Sequence, residues 1–181
     1  RFFANSYLFV DFFFALSGFV ITHSYQKRIQ EGMPLRQYAW LRLGRLYPLH
    51  LFTLLVWLPL LGAKYLAYRQ GLWGQNPFDI NTVATFISNV LLIHSLGIHD
   101  HLAWNVPSWS ISCEMAAYLV FFLLLKNIDR NRGYLLPVVI AVACYATLFA
   151  VNDQGLDLTY DYGLLRCLGA FYLGVLMYRL K

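Results

Sequence analysis

Charge is what this chain has least of. Asp, Glu, Lys and Arg make up 13% of its 181 residues, whereas 59% are hydrophobic and 18% aromatic. Ordinary soluble domains carry about 25% charged residues. Half that amount leaves too little polar surface to cover a water-soluble globule of this size. The same scarcity excludes a nucleic-acid-binding surface and a disordered tail, so no nucleic-acid partner is expected. Three cysteines are too few for a disulfide framework. Cys113, Cys144 and Cys167 each fall inside an apolar run, without the paired spacing of a redox or metal motif. They read as small hydrophobes. Internal repeats and low-complexity tracts are absent. No basic segment followed by a short apolar run and small residues is visible, as a cleavable leader would require. None of the apolar stretches alternates strictly as a barrel strand does. An all-α polytopic transmembrane bundle is the class that remains, with the lipid bilayer as its first partner.

A membrane helix needs about 20 largely apolar residues. Six stretches qualify or nearly qualify: 6–25, 46–68, 83–98, 109–125, 134–151 and 160–180. The third is the weak one, being short and carrying Asn89 and His94. Basic residues orient the chain. Between the first two stretches lie Lys27, Arg28, Arg36, Arg42 and Arg45 against a single acid, Glu31. Short loops rich in Lys and Arg stay in the cytoplasm. A second basic cluster, Lys126, Arg130 and Arg132, follows the fourth stretch. If all six stretches cross, that cluster lies outside, against the rule. If the third enters only partly, the cluster falls inside together with Arg179 and Lys181. The partial arrangement is favoured, because irregular backbone at membrane depth is tolerated where protein buries it. The connector NDQGLDLTYD, 152–161, holds three acids and no base, which suits an external loop.

Two carboxylates sit where lipid would penalise them by about 2.5–3.5 kcal/mol or more. Asp11 lies in YLFVDFFFALSGF, and Glu114 lies about a turn and a half into the fourth stretch. Ser110, Glu114 and Tyr118 fall at i, i+4 and i+8, so their polar groups share one helix face. Each carboxylate could tie helices together through an arginine or a tyrosine hydroxyl, or could serve chemistry. Ser17-Gly18 interrupts a run of bulky aromatics and suits close helix approach. In RQYAWLRLGRLYPLH, Arg42 and Arg45 are three apart and share a helix side. Two guanidiniums there could clamp a phosphate or simply anchor to anionic headgroups. Tyr38, Trp40 and Tyr47 read as interfacial anchors, with Pro48 at the mouth of the second span. His94, His99, His101 and Asp100 lie in IHSLGIHDHLAWN, expected to be a surface loop. Their irregular spacing argues against a metal site, and none is assigned. His23 and His50 are expected at span ends.

Three ordered blocks together resemble the acyltransferase 3 family of bacterial integral-membrane O-acyltransferases. They are VDFFFALSGFVI, RLGRLYPLH and NVPSWSISCEMAAYLVF, with SNVLLIH ahead of the third. Ala15 and Cys113 are mild departures from the pattern. The resemblance covers nearly all of the 181 residues, but the family domain is usually close to twice this length, with about ten spans. The chain, which begins at Arg1 rather than at a methionine, resembles the N-terminal half without its first helix. In the family that helix carries a histidine thought to act in acyl transfer, and none of the five histidines here maps onto it. The resemblance implies transfer of an acyl group, typically acetyl, from cytoplasmic acyl-CoA to a hydroxyl of a carbohydrate or glycolipid. It makes acyl-CoA (acetyl-CoA) a donor substrate, with no bound cofactor. It makes Arg42 and Arg45 candidates for the CoA phosphates. It makes Glu114 a candidate catalytic carboxylate, with Trp109, Ser110 and Tyr118 as the site wall and Asp11 in support. The expected location is the bacterial inner membrane, crossed several times. A transporter or permease also places carboxylates and glycine kinks in its spans. A purely structural membrane subunit is the third possibility, although two buried carboxylates and an arginine pair would be gratuitous in it.

Overall fold

The apolar stretches fold as helices because nothing within them offers the backbone a better partner than itself. In the computed structural model, which describes residues 7–127, 134–151 and 158–181, six α-helices follow one another. They are α1 (Tyr7–Gln30), α2 (Leu35–Arg69), α3 (Val83–Val90), α4 (Trp109–Asn127), α5 (Leu135–Val151) and α6 (Gly163–Arg179). A short 3-10 turn, Val106–Ser108, leads into α4. No strand occurs among the described residues. Ser6, Arg130, Arg132 and residues 152–157 of the acidic connector lie outside the described residues.

Helix ends follow local chemistry. Gly32, at φ 102°, closes α1: Met33 N–H reaches Arg28 C=O at 2.9 Å and Gly32 N–H reaches Ile29 C=O at 3.1 Å. This is the αL termination that glycine adopts without penalty. Pro34 then fixes the entry to α2. That helix begins at Leu35, eleven residues before the expected span at 46, and holds Pro48 and Pro59 in its interior. Pro48 therefore lies inside a helix rather than at its start. At 35 residues, α2 is about 50 Å long, more than the roughly 30 Å hydrocarbon layer. The arginine block thus belongs to a continuous helix. α1, α2 and the segment running into α4 are long and apolar enough to cross a membrane.

The third stretch departs from a spanning helix. Its helical part is the eight residues of α3, capped by Thr82, whose hydroxyl accepts from Thr85 N–H at 3.2 Å. Residues 91–105 are irregular, with Leu92 and Trp104 in the left-handed region. Packing fixes the consequence. Phe14 meets Trp109, and Ser17 meets Tyr118, so α1 and α4 run the same way. Asp11 pairs with Arg166, and Phe19 and His23 stack on Tyr178, so α6 runs with them. α2 and α5 run opposite: Tyr25 meets Arg42 while the earlier Ser17 shares a cavity with the later Arg45, and Tyr134 and Pro137 at the start of α5 share one with Arg179 at the end of α6. Lys27, Arg28, Lys126, Arg179 and Lys181 therefore collect at one end of the bundle, the arrangement in which the third stretch does not fully cross.

Burial is inverted relative to a soluble protein at the outward faces. Phe12, Phe13, Leu49, Phe52 and Val142 are all more than 60% exposed, an apolar girdle that a soluble monomer rarely presents. The core lies between α1, α4 and α6, built on Phe14, Ile21, Phe121, Phe122 and Phe171. Tyr38 joins it with no exposed surface, packed on Tyr25 and Phe122, and is not an interfacial anchor. A smaller cluster, Leu54, Leu61, Ala103 and Trp104, fastens α2 to the irregular segment. Helix approach is closest between α1 and α6. A β-carbon on Gly18 would lie 2.0 Å from Phe171 C=O, and one on Gly174 would lie 1.8 Å from Ala15 C=O. The small-residue reading of Gly18 is thus one of packing.

Candidate functional site

Glu114 is the centre of the polar cluster in the bundle. One turn along α4, Tyr118 donates its hydroxyl to Glu114 Oε1. From α1, Ser17 Oγ donates to the same oxygen at 2.5 Å and lies 2.8 Å from the Tyr118 hydroxyl. The i, i+4 spacing brings the first pair together, while the second requires α1 to pack parallel against α4. No hydrogen bond to Oε2 forms among the described residues.

The cluster opens on a cavity of about 370 Å³ between α1, α2 and α4. Phe14, Ser17, Arg45, Ser110 and Glu114 line it. A carboxylate, two hydroxyls and a guanidinium thus face one space with apolar walls, which is the composition of a small-molecule site. Ser110 Oγ caps locally on Pro107 C=O at 3.3 Å. Trp109 is buried, edge-on to Phe14 at 6.0 Å, with the Arg166 guanidinium 5.5 Å from its ring. It supports the wall without lining the cavity.

The two arginines of α2 separate in role. Arg45 is exposed at the cavity. Arg42 is drawn inward to 7% exposure, its guanidinium 4.3 Å from the centre of the Tyr25 ring and 5.9 Å from that of Tyr118. It also donates to the Tyr25 hydroxyl. Two residues three apart share a side, but only one reaches the core. Asp11 is held by Arg166, Nε to Oδ1 at 2.7 Å and Nη2 to Oδ2 at 3.0 Å. Arg166 is 1% exposed and also donates to Leu158 C=O. The Asp11 carboxylate therefore joins α1 to α6. Sequence reading passed over Arg166 and Tyr25. A lone arginine early in an apolar helix is itself a signal, since burial at that depth demands a carboxylate partner.

The histidine-bearing segment is not a surface loop throughout. His94, Ser95, Ala103, Trp104 and Asn105 are buried. His50 is fully buried in α2, bonded to Asn89 C=O at 2.9 Å and stacked on His94. One nitrogen of each buried ring finds a partner, Ser108 Oγ lying 3.1 Å from His94 Nε2, while both Nδ1 atoms have none among the described residues. At the exposed tip, the neighbouring His101 ring holds the Asp100 carboxyl below its usual range. Among the described residues no group of three or more His, Cys, Asp or Glu side chains could hold a metal ion. The three cysteines are free and buried.

Comparison with known proteins agrees with the three sequence blocks. The chain is 28% identical over 149 residues to Acyltransferase MdmB of Streptomyces mycarofaciens, covering 80% of this chain and 35% of that protein. It is 50% identical over 52 residues to Protein 2 in picA locus of Rhizobium radiobacter, covering 28% of this chain and 27% of that one. The chain thus spans about a third of the length of these curated relatives. No solved structure matches it. The family described as Acyltransferase domain matches residues 1–181 throughout. The chain therefore belongs to the acyltransferase 3 family.

Proposed function

We propose that this chain is part of a multi-pass O-acyltransferase of the bacterial inner membrane. It moves an acyl group, acetyl in the simplest case, from cytoplasmic acyl-CoA to a hydroxyl of a cell-surface or exported carbohydrate or glycolipid. One observation carries the reading: the Ser17–Glu114–Tyr118 cluster opens on the same cavity as Arg45, in a chain of an acyltransferase family. The basic end of the bundle is taken as cytoplasmic, where the donor resides.

The chemistry is transesterification of a thioester. The acceptor oxygen forms a bond to the acyl carbon, the carbon–sulfur bond breaks, and the hydroxyl proton ends on the CoA sulfur. Glu114 is suited to accept that proton, with Oε1 fixed by two hydroxyls and Oε2 without a hydrogen bond among the described residues. A positioned base of this kind contributes about 10²–10⁴-fold. Arg45 supplies positive charge for the donor's phosphates, and Arg42, locked between Tyr25 and Tyr118, holds the α2 face that presents it.

The test uses the full-length protein in detergent or proteoliposomes, measuring acceptor-dependent release of CoA from acetyl-CoA. Wild type is expected to release CoA, and Glu114→Gln to lose at least about a hundredfold of that rate while inserting normally. Normal turnover in Glu114→Gln would return this carboxylate to a structural role. Absence of both acyl-CoA binding and acceptor acylation in wild type would end the enzyme reading, whereas full acylation by an Arg42→Ala/Arg45→Ala variant would end only the role given to the two arginines.

A further inference from the structure

A second cavity, of about 470 Å³, lies at the basic end of the bundle, where α1, α4 and α6 end and α5 begins. Its size is that of a small-ligand pocket, for which about 300–1,000 Å³ is usual. It shares neither Glu114 nor the α2 arginines with the first cavity. Phe121, Leu125 and Val175 form its apolar floor, and Gln26, Arg179 and Lys181 are among its polar lining. None of the described lining residues is acidic.

Buried polar atoms almost always find partners, yet three residues lining this cavity carry one that has none. They are the Gln26 Oε1 acceptor, the Tyr172 hydroxyl and the Arg179 Nε donor. Tyr172 is 2% exposed. Water could satisfy these hydrogen bonds one at a time, but no carboxylate among the described lining residues balances the partly buried Arg179, and the exposed Lys181 adds positive charge at the rim. An anion with several oxygens answers the guanidinium fork and the phenol together, as phosphate does. The orphan acceptor on Gln26 asks in addition for a hydroxyl donor on the same ligand. The apolar floor asks for a carbon skeleton.

We propose that this cavity is a binding site for a hydroxyl-bearing organic phosphate. Its phosphate lies against Arg179, Lys181 and the Tyr172 hydroxyl, and its hydroxyl donates to Gln26. That chemistry has two sources at a membrane surface: a phospholipid with a glycerol headgroup, and the ribose phosphate of a nucleotide such as the one in CoA. Only the nucleotide source rests on the acyl-CoA reading given above.

The test takes the full-length purified protein through two arms. In one, adenosine 3′,5′-bisphosphate is titrated while thermal unfolding and affinity are followed. In the other, retained lipid is counted by native mass spectrometry after reconstitution in phosphatidylcholine nanodiscs with or without phosphatidylglycerol. One arm is expected to show saturable binding, weakened about tenfold or more by Arg179→Gln and several-fold by Tyr172→Phe. Lys27→Gln, which removes an exposed charge at the same end of the bundle, should leave it unchanged. The responding arm identifies the source. Bisphosphate binding without any acyl transfer would fault the enzyme reading and leave this one standing. The proposal is overturned if neither probe binds, or if binding is equal in wild type and Tyr172→Phe. That variant removes a single oxygen and keeps the test decisive even if Arg179→Gln fails to fold.

Discussion

Arg166 of α6 grips both carboxylate oxygens of Asp11 in α1, across 155 residues of sequence and with 1% of its own surface exposed. Breaking such a pair by removing one partner leaves an unpaired charge and costs about 3–5 kcal/mol, whereas replacing both with apolar groups is far milder. Asp11→Asn should therefore lower the melting temperature of the full-length protein sharply, and Asp11→Leu combined with Arg166→Met should recover most of the loss. The check is a double-mutant cycle read by tryptophan fluorescence. An unchanged melting temperature in Asp11→Asn would show that the pair does not hold the helices.

Gly18 and Gly174 make a second prediction about the same interface. A β-carbon at either position would run into backbone of the facing helix, at 2.0 Å and 1.8 Å respectively. Backbone cannot rotate away as a side chain can, so α1 and α6 must part. Gly18→Ala and Gly174→Ala should each destabilise by about 1–3 kcal/mol or more. Gly44→Ala, with nothing within 4 Å of the new carbon, should stabilise α2 by up to about 1 kcal/mol. Denaturant or thermal unfolding distinguishes the signs, and a neutral Gly174→Ala would refute the close approach.

What could be read from the sequence was whatever depends on near neighbours. Apolar runs located α1, α4, α5 and α6 within a few residues, because a helix in lipid has no other way to satisfy its backbone. Glu114 and Tyr118 were legible as partners because four residues make one turn. α2 began early because its arginine block, although polar, contains no proline before Pro48 and its one glycine, Gly44, is not enough to stop the helix. Tyr38 was misplaced because an aromatic beside arginines has the same composition whether it anchors at an interface or packs in a core. His94 was misplaced similarly, since its burial against His50 depends on an irregular segment folding back against α2. The Asp11–Arg166 pair and the Ser17 hydroxyl lie about a hundred residues or more from their partners. Local spacing carries no trace of such contacts.

Ser17 and Tyr118 both donate to Glu114 Oε1, and this predicts how their losses combine. Ser17→Ala and Tyr118→Phe should each lower the rate of acyl transfer by about tenfold, the scale of one hydrogen bond to a charged group. The double variant should fall short of the product of the two, because residues sharing a partner are not independent. Turnover numbers at saturating donor supply the measurement. Strictly multiplicative losses would mean that the hydroxyls act on separate groups.

Arg42 and Arg45 are three residues apart but should fail in different ways. Arg45 is exposed at the cavity that Glu114 lines, so Arg45→Ala removes charge from the space without disturbing packing. The expected result is a KM for acyl-CoA raised about tenfold, the loss of one charged contact, with the melting temperature and turnover little changed. Arg42 is enclosed by the Tyr25 and Tyr118 rings and donates to the Tyr25 hydroxyl. A lysine there keeps the charge but cannot reproduce a flat guanidinium that stacks on one ring and reaches its hydroxyl. Arg42→Lys should therefore lower the melting temperature and the turnover, because Tyr118 also positions Glu114, and should shift KM less than Arg45→Ala does. Measuring KM, kcat and melting temperature on both variants decides the matter. If Arg42→Lys instead raised KM as much as Arg45→Ala at unchanged stability, the two guanidiniums would be acting as one clamp on the donor.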